Sequence, residues 1–159
     1  MKYLLLTTVL LVIGLAAYGQ LSKPLTVTVV LPQDLKFTAP PILPKGIEVA
    51  NIYGNSTENT GALWISRIKF SKGARLMPHV HPDTRYVTVL AGKYYQGVSD
   101  KFDEKALVAY PAGTFLVVPA GVKHFVWAKD GEILVQEMGT SPTSTVYVDP
   151  ADDPRNQKK

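Results

Sequence analysis

The chain has 159 residues, of which 46% are hydrophobic and 19% charged, a balance that suits one globular domain and excludes an extended disordered chain. Its formal charge of +4 is scattered, with no basic run longer than Lys158-Lys159, so nucleic-acid binding finds little support. The absence of cysteine excludes disulfides, thiolate ligands, a lipidated cysteine anchor and a cysteine nucleophile.

The first twenty residues read as an export signal: Lys2 gives a positive start, residues 4–17 are almost wholly apolar, and Ala17-Tyr18-Gly19 has small residues at cleavage spacing. Residues 1–19 are therefore expected to be removed before Gln20, leaving a periplasmic or secreted protein without stable membrane insertion. A retained membrane anchor is the competing reading, but the apolar stretch is shorter than the roughly 20 residues that a spanning helix needs.

Residues 25–31 (LTVTVVL) alternate apolar side chains with threonine, which predicts an opening strand. From Pro32 to Gly46 the prolines at 32, 40, 41 and 44 remove backbone donors, so this piece reads as an arm over a sheet edge. Residues 20–61 thus form an N-terminal strand and proline-rich arm. Strands are expected at 47–53 and 62–70, the second with Trp64, Ile68 and Phe70 facing the core.

Residues 74–81 form the next predicted strand. Alternate side chains of a strand share a face, so His79 and His81 point the same way and make a two-toothed metal grip. Residues 85–90 alternate again, with Arg85, Val87 and Val89 on one face, and Ala91-Gly92 turns into 93–98 at hairpin spacing. After a loop or helical turn at 99–105, short strands follow at 106–110 and 114–118. Pro119-Ala120-Gly121 then turns into 123–128, which carries His124, the third histidine of three in the chain. Asp130-Gly131 is a strong hairpin signal toward 132–138. A last run at 143–148 precedes a charged, proline-containing tail at 149–159 expected to be solvated. Phe115, Phe125, Trp127, Tyr94 and Tyr95 read as core or wall aromatics, and Gln136 as an inward polar contact. Short strands at regular spacing without helical periodicity say all-β barrel or sandwich.

The spacing resembles the cupin family. Gly73, His79, His81 and Gly92 match its first motif, with Arg85 where glutamate usually stands; Gly113, Pro119, Gly121 and His124 match its second, with Ala128 where asparagine often stands. The resemblance implies a double-stranded β-helix, or jelly roll, over residues 62–148. It also implies a divalent transition metal (iron, zinc, manganese, nickel or copper) on His79, His81 and His124. The fourth, acidic ligand does not carry over, because Arg85 is a permanent cation with no lone pair to offer. Three readings of Arg85 stand open: it clamps an oxyanion of a ligand, it pairs with Asp83, Asp103, Glu104 or another acid, or it marks a site that has lost its metal. Asp83 could supply a carboxylate but lies out of the motif's register. The expected partner is a small anionic molecule, handled by an oxygenase, an isomerase or another metal-dependent enzyme, or bound without turnover by a sensing or sequestering protein. A homodimer formed through the arm is also open.

Overall fold

The computed structural model describes residues 26–157; the proposed export signal and the first residue of the predicted opening strand lie outside them. Ten strands form two five-stranded antiparallel sheets. In chain order they are β1 (Ile47–Tyr53), β2 (Leu63–Phe70), β3 (Arg75–Val80), β4 (Arg85–Ala91), β5 (Lys93–Val98), β6 (Val108–Pro111), β7 (Phe115–Val118), β8 (His124–Trp127), β9 (Ile133–Thr140) and β10 (Val146–Tyr147). One sheet runs β1-β2-β9-β4-β7 and the other β10-β3-β8-β5-β6. This is the all-β jelly roll, a double-stranded β-helix.

The strands form where the sequence alternates. On β2, Trp64, Ser66 and Phe70 are buried; on β4, Arg85, Val87 and Val89; on β9, Ile133, Val135 and Glu137. Of these, Phe70, Val87, Val89, Ile133 and Val135 meet Leu76, Tyr94 and Val126 of the opposite sheet in one apolar core. Each large apolar side chain enclosed there contributes about 1.5–3 kcal/mol. Glycine permits one close approach between strands: an added Cβ at Gly97 on β5 would overlap the ring of Phe125 on β8.

Two turns that read as hairpins are instead corners between sheets. Asp130-Gly131 joins β8 to β9, and Ala91-Gly92 joins β4 to β5, yet the members of each pair lie in different sheets. The two corners pack on each other. Gly92 has φ +77°, and a side chain there would collide with the backbone carbonyl of Glu132. Asp130 is held by Lys93 Nζ at 3.1 Å and Tyr95 Oη at 2.5 Å. A two-residue glycine turn reverses the chain equally well into the same sheet or the facing one.

Of the predicted opening strand, residues 26–31 form none. Val27 and Val29 are 90% and 69% exposed, because β propensity without a pairing edge does not make a strand. That edge, the free side of β1, is met by the arm, where Thr38 bridges Val49. The arm then lays Ile42 and Leu43 against the core, and Tyr147 Oη donates to the Ile42 carbonyl at 2.7 Å. Most described residues of the tail are exposed, with Asp153 buried, and two 3-10 turns, Pro150–Asp152 and Pro154–Asn156, are capped by the side chains of Asp149 and Asp153. Phe115 is 56% exposed on the outer face, stacked on Tyr86 at 6.5 Å, and is not a core aromatic.

Candidate metal centre

In the sheet β10-β3-β8-β5-β6, β3 carries His79 and β8 carries His124, and His81 comes directly after β3. His79 lies opposite His124 in the β3 and β8 pairing and opposite Tyr147 of β10. His81 follows β3, where its carbonyl accepts from Gly121 N at 2.9 Å, fastening the Pro119-Ala120-Gly121 turn beside the pair. The register shifts between Leu76 and His79, a bulge that re-aims the end of β3. The rings gather closely, with centroids 4.2 Å apart for His79 and His124, 4.8 Å for His79 and His81, and 5.3 Å for His81 and His124.

Each ring has its Nδ1 against a backbone carbonyl: Met77 at 2.8 Å for His79, Ser144 at 2.7 Å for His81, and Val122 at 2.9 Å for His124. An Nδ1–H donated in this way fixes the tautomer and leaves Nε2 with its lone pair. His79 Nε2 is buried and has no hydrogen-bond partner. Burial also keeps the rings neutral, lowering His79 to a pKa of about 3 and His81 to about 2, with His124 lowered for the same reason. One ligand atom from each of the three lies within 4.8 Å of the others, and Asp83 is not part of that group. Three neutral imidazoles, each oriented from behind and one with an orphaned buried nitrogen, fit a divalent transition metal.

Arg85 projects from β4 on the facing sheet and is 6% exposed. Its Nε donates to Asp83 Oδ1 at 3.2 Å, Nη1 to Glu137 Oε2 at 2.9 Å and Nη2 to Thr143 Oγ1 at 2.8 Å. Thr143 Oγ1 donates in turn to Asp83. The guanidinium lies 4.5 Å from the Trp64 ring. Nη2 also comes within 2.9 Å of His81 Nδ1, but the tautomer that donates to Ser144 leaves that nitrogen nothing to accept with. Of the acids that could pair with Arg85, Asp83 does so, and Glu137 is the further acid; Glu104 instead pairs with Arg75 and Lys129, and Asp103 caps Lys105 N.

Glu137 is the site residue that the sequence reading missed. It is buried, its carboxyl pushed up by desolvation against the opposing pull of Arg85. Gln136, expected to point inward, instead takes the other face of β9, in register with Arg67 and Thr88. The phase of Ile133 and Val135 would have found Glu137, since position 137 continues their buried alternation.

The histidines, Arg85 and Glu137 stand at the wall of a cavity of roughly 400 Å³, lined otherwise mainly by apolar residues from both sheets and the arm. A family model described as "Cupin" matches residues 37–149. No match is found among curated proteins. Solved structures share the fold at low identity. The polyketide cyclase RemF from Streptomyces resistomycificus superposes with a TM-score of 0.65 at 14% identity, over 82% of this chain and 91% of that one. KdgF from Halomonas sp. gives 0.56 at 19%, over 72% and 94%. An RmlC-like cupin from Shewanella frigidimarina gives 0.55 at 17%, over 72% and 91%.

Proposed function

The chain belongs to the cupin family, and from that premise we propose that it holds one divalent transition metal on His79, His81 and His124 and acts on a small molecule whose anionic oxygen reaches that metal. The observation that carries this reading is the arrangement of the imidazoles: three Nδ1 atoms face backbone carbonyls while one ligand atom per ring converges with the others. Iron, zinc, manganese, nickel and copper all suit such nitrogen donors. Bound there, the ion supplies Lewis acidity, and redox chemistry if it is not zinc.

The surrounding residues prepare that site. The carbonyls of Met77, Ser144 and Val122 hold the rings, and burial keeps their lone pairs available at neutral pH. Arg85 contributes chiefly by position: Asp83, Glu137 and Thr143 occupy one N–H on each of its three nitrogens. The second N–H on Nη1 has no partner among the described residues and is assigned to the incoming oxyanion. Pro40, Ile42 and Leu43 of the arm form part of the cavity lining.

An oxygenase or isomerase fits a site with open metal positions and no pair of unengaged carboxylates; binding without turnover uses the same parts, and the fold hosts both. Residues 1–19 are assigned as an export signal, which places the mature chain in the periplasm or outside the cell. Elemental analysis of purified protein tests the central reading. One metal per chain is expected, lost in His79→Ala and in His124→Ala and kept in Arg85→Lys. Full metal content in both histidine variants would defeat it. Oxygen uptake, for an oxygenase, and product analysis, for an isomerase, over a panel of phenolic, enediol and thiol acids then separate turnover from binding.

A further inference from the structure

Building on the metal reading above, we propose that the ligand of this chain is a largely apolar molecule of about aryl size that presents a single ionisable oxygen to the histidine end of the cavity. The cavity, at roughly 400 Å³, has the dimensions of a small-molecule site. Its long wall is aliphatic and aromatic: Leu43 from the arm, Ile47, Ile68 and Phe70 from one sheet, Leu76 and Val126 from the other. The charged side chains on the lining are Arg85 and Glu137, and they are already joined to each other.

Charge decides the head. The cation of Arg85 faces two carboxylates, Asp83 and Glu137, so this group adds no net positive charge to the cavity. With the imidazoles neutral, the bound ion is the remaining source of positive charge, and one oxyanion beside it is matched. A second carboxylate or a phosphate would bring further negative charge beside Glu137 with no second cation to match it. Hydrophobic contact decides the body. Serine and threonine side chains, among them Ser66 and Thr143, also reach the lining. A sugar would still set part of its hydrated hydroxyls against Ile68, Leu76 and Val126, whereas an aryl or branched aliphatic body exchanges water for carbon there. Strands β3 and β8 contribute both histidines and wall residues (Leu76, Val126), while the arm adds apolar wall and no metal ligand.

The test uses zinc-loaded protein and three chelators of the same ring size, followed by calorimetry: acetohydroxamate, benzohydroxamate and oxalate. The first two share a weakly acidic oxygen head and differ in body; oxalate carries two carboxylates and no body. Each affinity is referred to that for free zinc in the same buffer. Benzohydroxamate is expected to bind about tenfold or more tighter than acetohydroxamate, with oxalate weakest. Leu43→Asp is expected to erase the phenyl preference while keeping one zinc per chain, and the wild-type comparison decides the matter even if that variant does not fold. Oxalate binding as tightly as benzohydroxamate, or a phenyl preference well short of about tenfold, would overturn the proposed ligand class while leaving the metal centre standing. A chain that takes up no zinc or other divalent metal would remove both.

Discussion

Arg85 Nη1 lies 2.9 Å from Glu137 Oε2 across adjacent strands of one sheet, with the two side chains only 8% and 10% exposed. Such a pair contributes less by its own attraction than it costs to break, because removing one partner strands the other charge out of water. Arg85→Met leaves both Asp83 and Glu137 unmatched and is expected to cost about 3–5 kcal/mol. Glu137→Gln keeps Asp83 as a counter-charge and is expected to cost about 1–3 kcal/mol. Urea unfolding of the metal-free chains gives the order, and an Arg85→Met cost below that of Glu137→Gln would contradict the shared pairing.

Acid should destabilise the metal-free protein early. In the unfolded chain the histidines take protons near pH 6.5, whereas in the folded chain His79 and His81 resist until about 3 and 2. Their folded values are depressed, so their contribution is complete above pH 6.5 and declines as pH falls toward those values. The expected slope is up to about 1.4 kcal/mol per pH unit for each ring. Unfolding in the presence of a chelator at pH 7, 5.5 and 4.5 measures it; equal stability at all three would mean that the rings are solvated.

Two glycines are predicted to be irreplaceable for reasons of space. An added methyl at Gly97 would overlap the Phe125 ring, and one at Gly139 would overlap Asp83 Oδ2 and crowd the Thr84 carbonyl. Alanine at either position is expected to cost about 1–3 kcal/mol by overpacking. Gly113, at φ +90° with open space around it, serves as the control, since alanine there meets backbone strain alone. Thermal unfolding of the three variants separates the effects, and a smaller loss at Gly97 than at Gly113 would argue against the tight approach of β5 to β8.

Expression of the full chain in a bacterium with an export pathway is expected to yield a mature protein beginning at Gln20. Intact-mass measurement of the purified material reads this directly, and a chain retaining Met1 in the membrane fraction would favour an anchor.

The histidine pair was legible because its information is local: His79 and His81 fall two apart on a strand, and His124 follows a turn set by Pro119 and Gly121. The convergence of the three is implied by the resemblance to the two family motifs, not by local pattern. The sheet assignments were less legible: Asp130-Gly131 and Ala91-Gly92 have the chemistry of tight turns, and nothing within a few residues tells a hairpin from a corner. Residues 26–31 show the converse failure, a strand-like pattern to which the fold gives no partner. Glu137 was hidden by its charge, which argues for the surface until Arg85, an equally unexpected inward residue, is placed opposite it.

The proline-rich arm lies outside the stretch that carries both histidine motifs, yet its side chains close part of the wall facing them. Exchange of that one segment between relatives would retune what fits inside while sparing every group that grips the ion. On the proposed reading, part of the selectivity would be separable from metal capture by a short splice near the amino end.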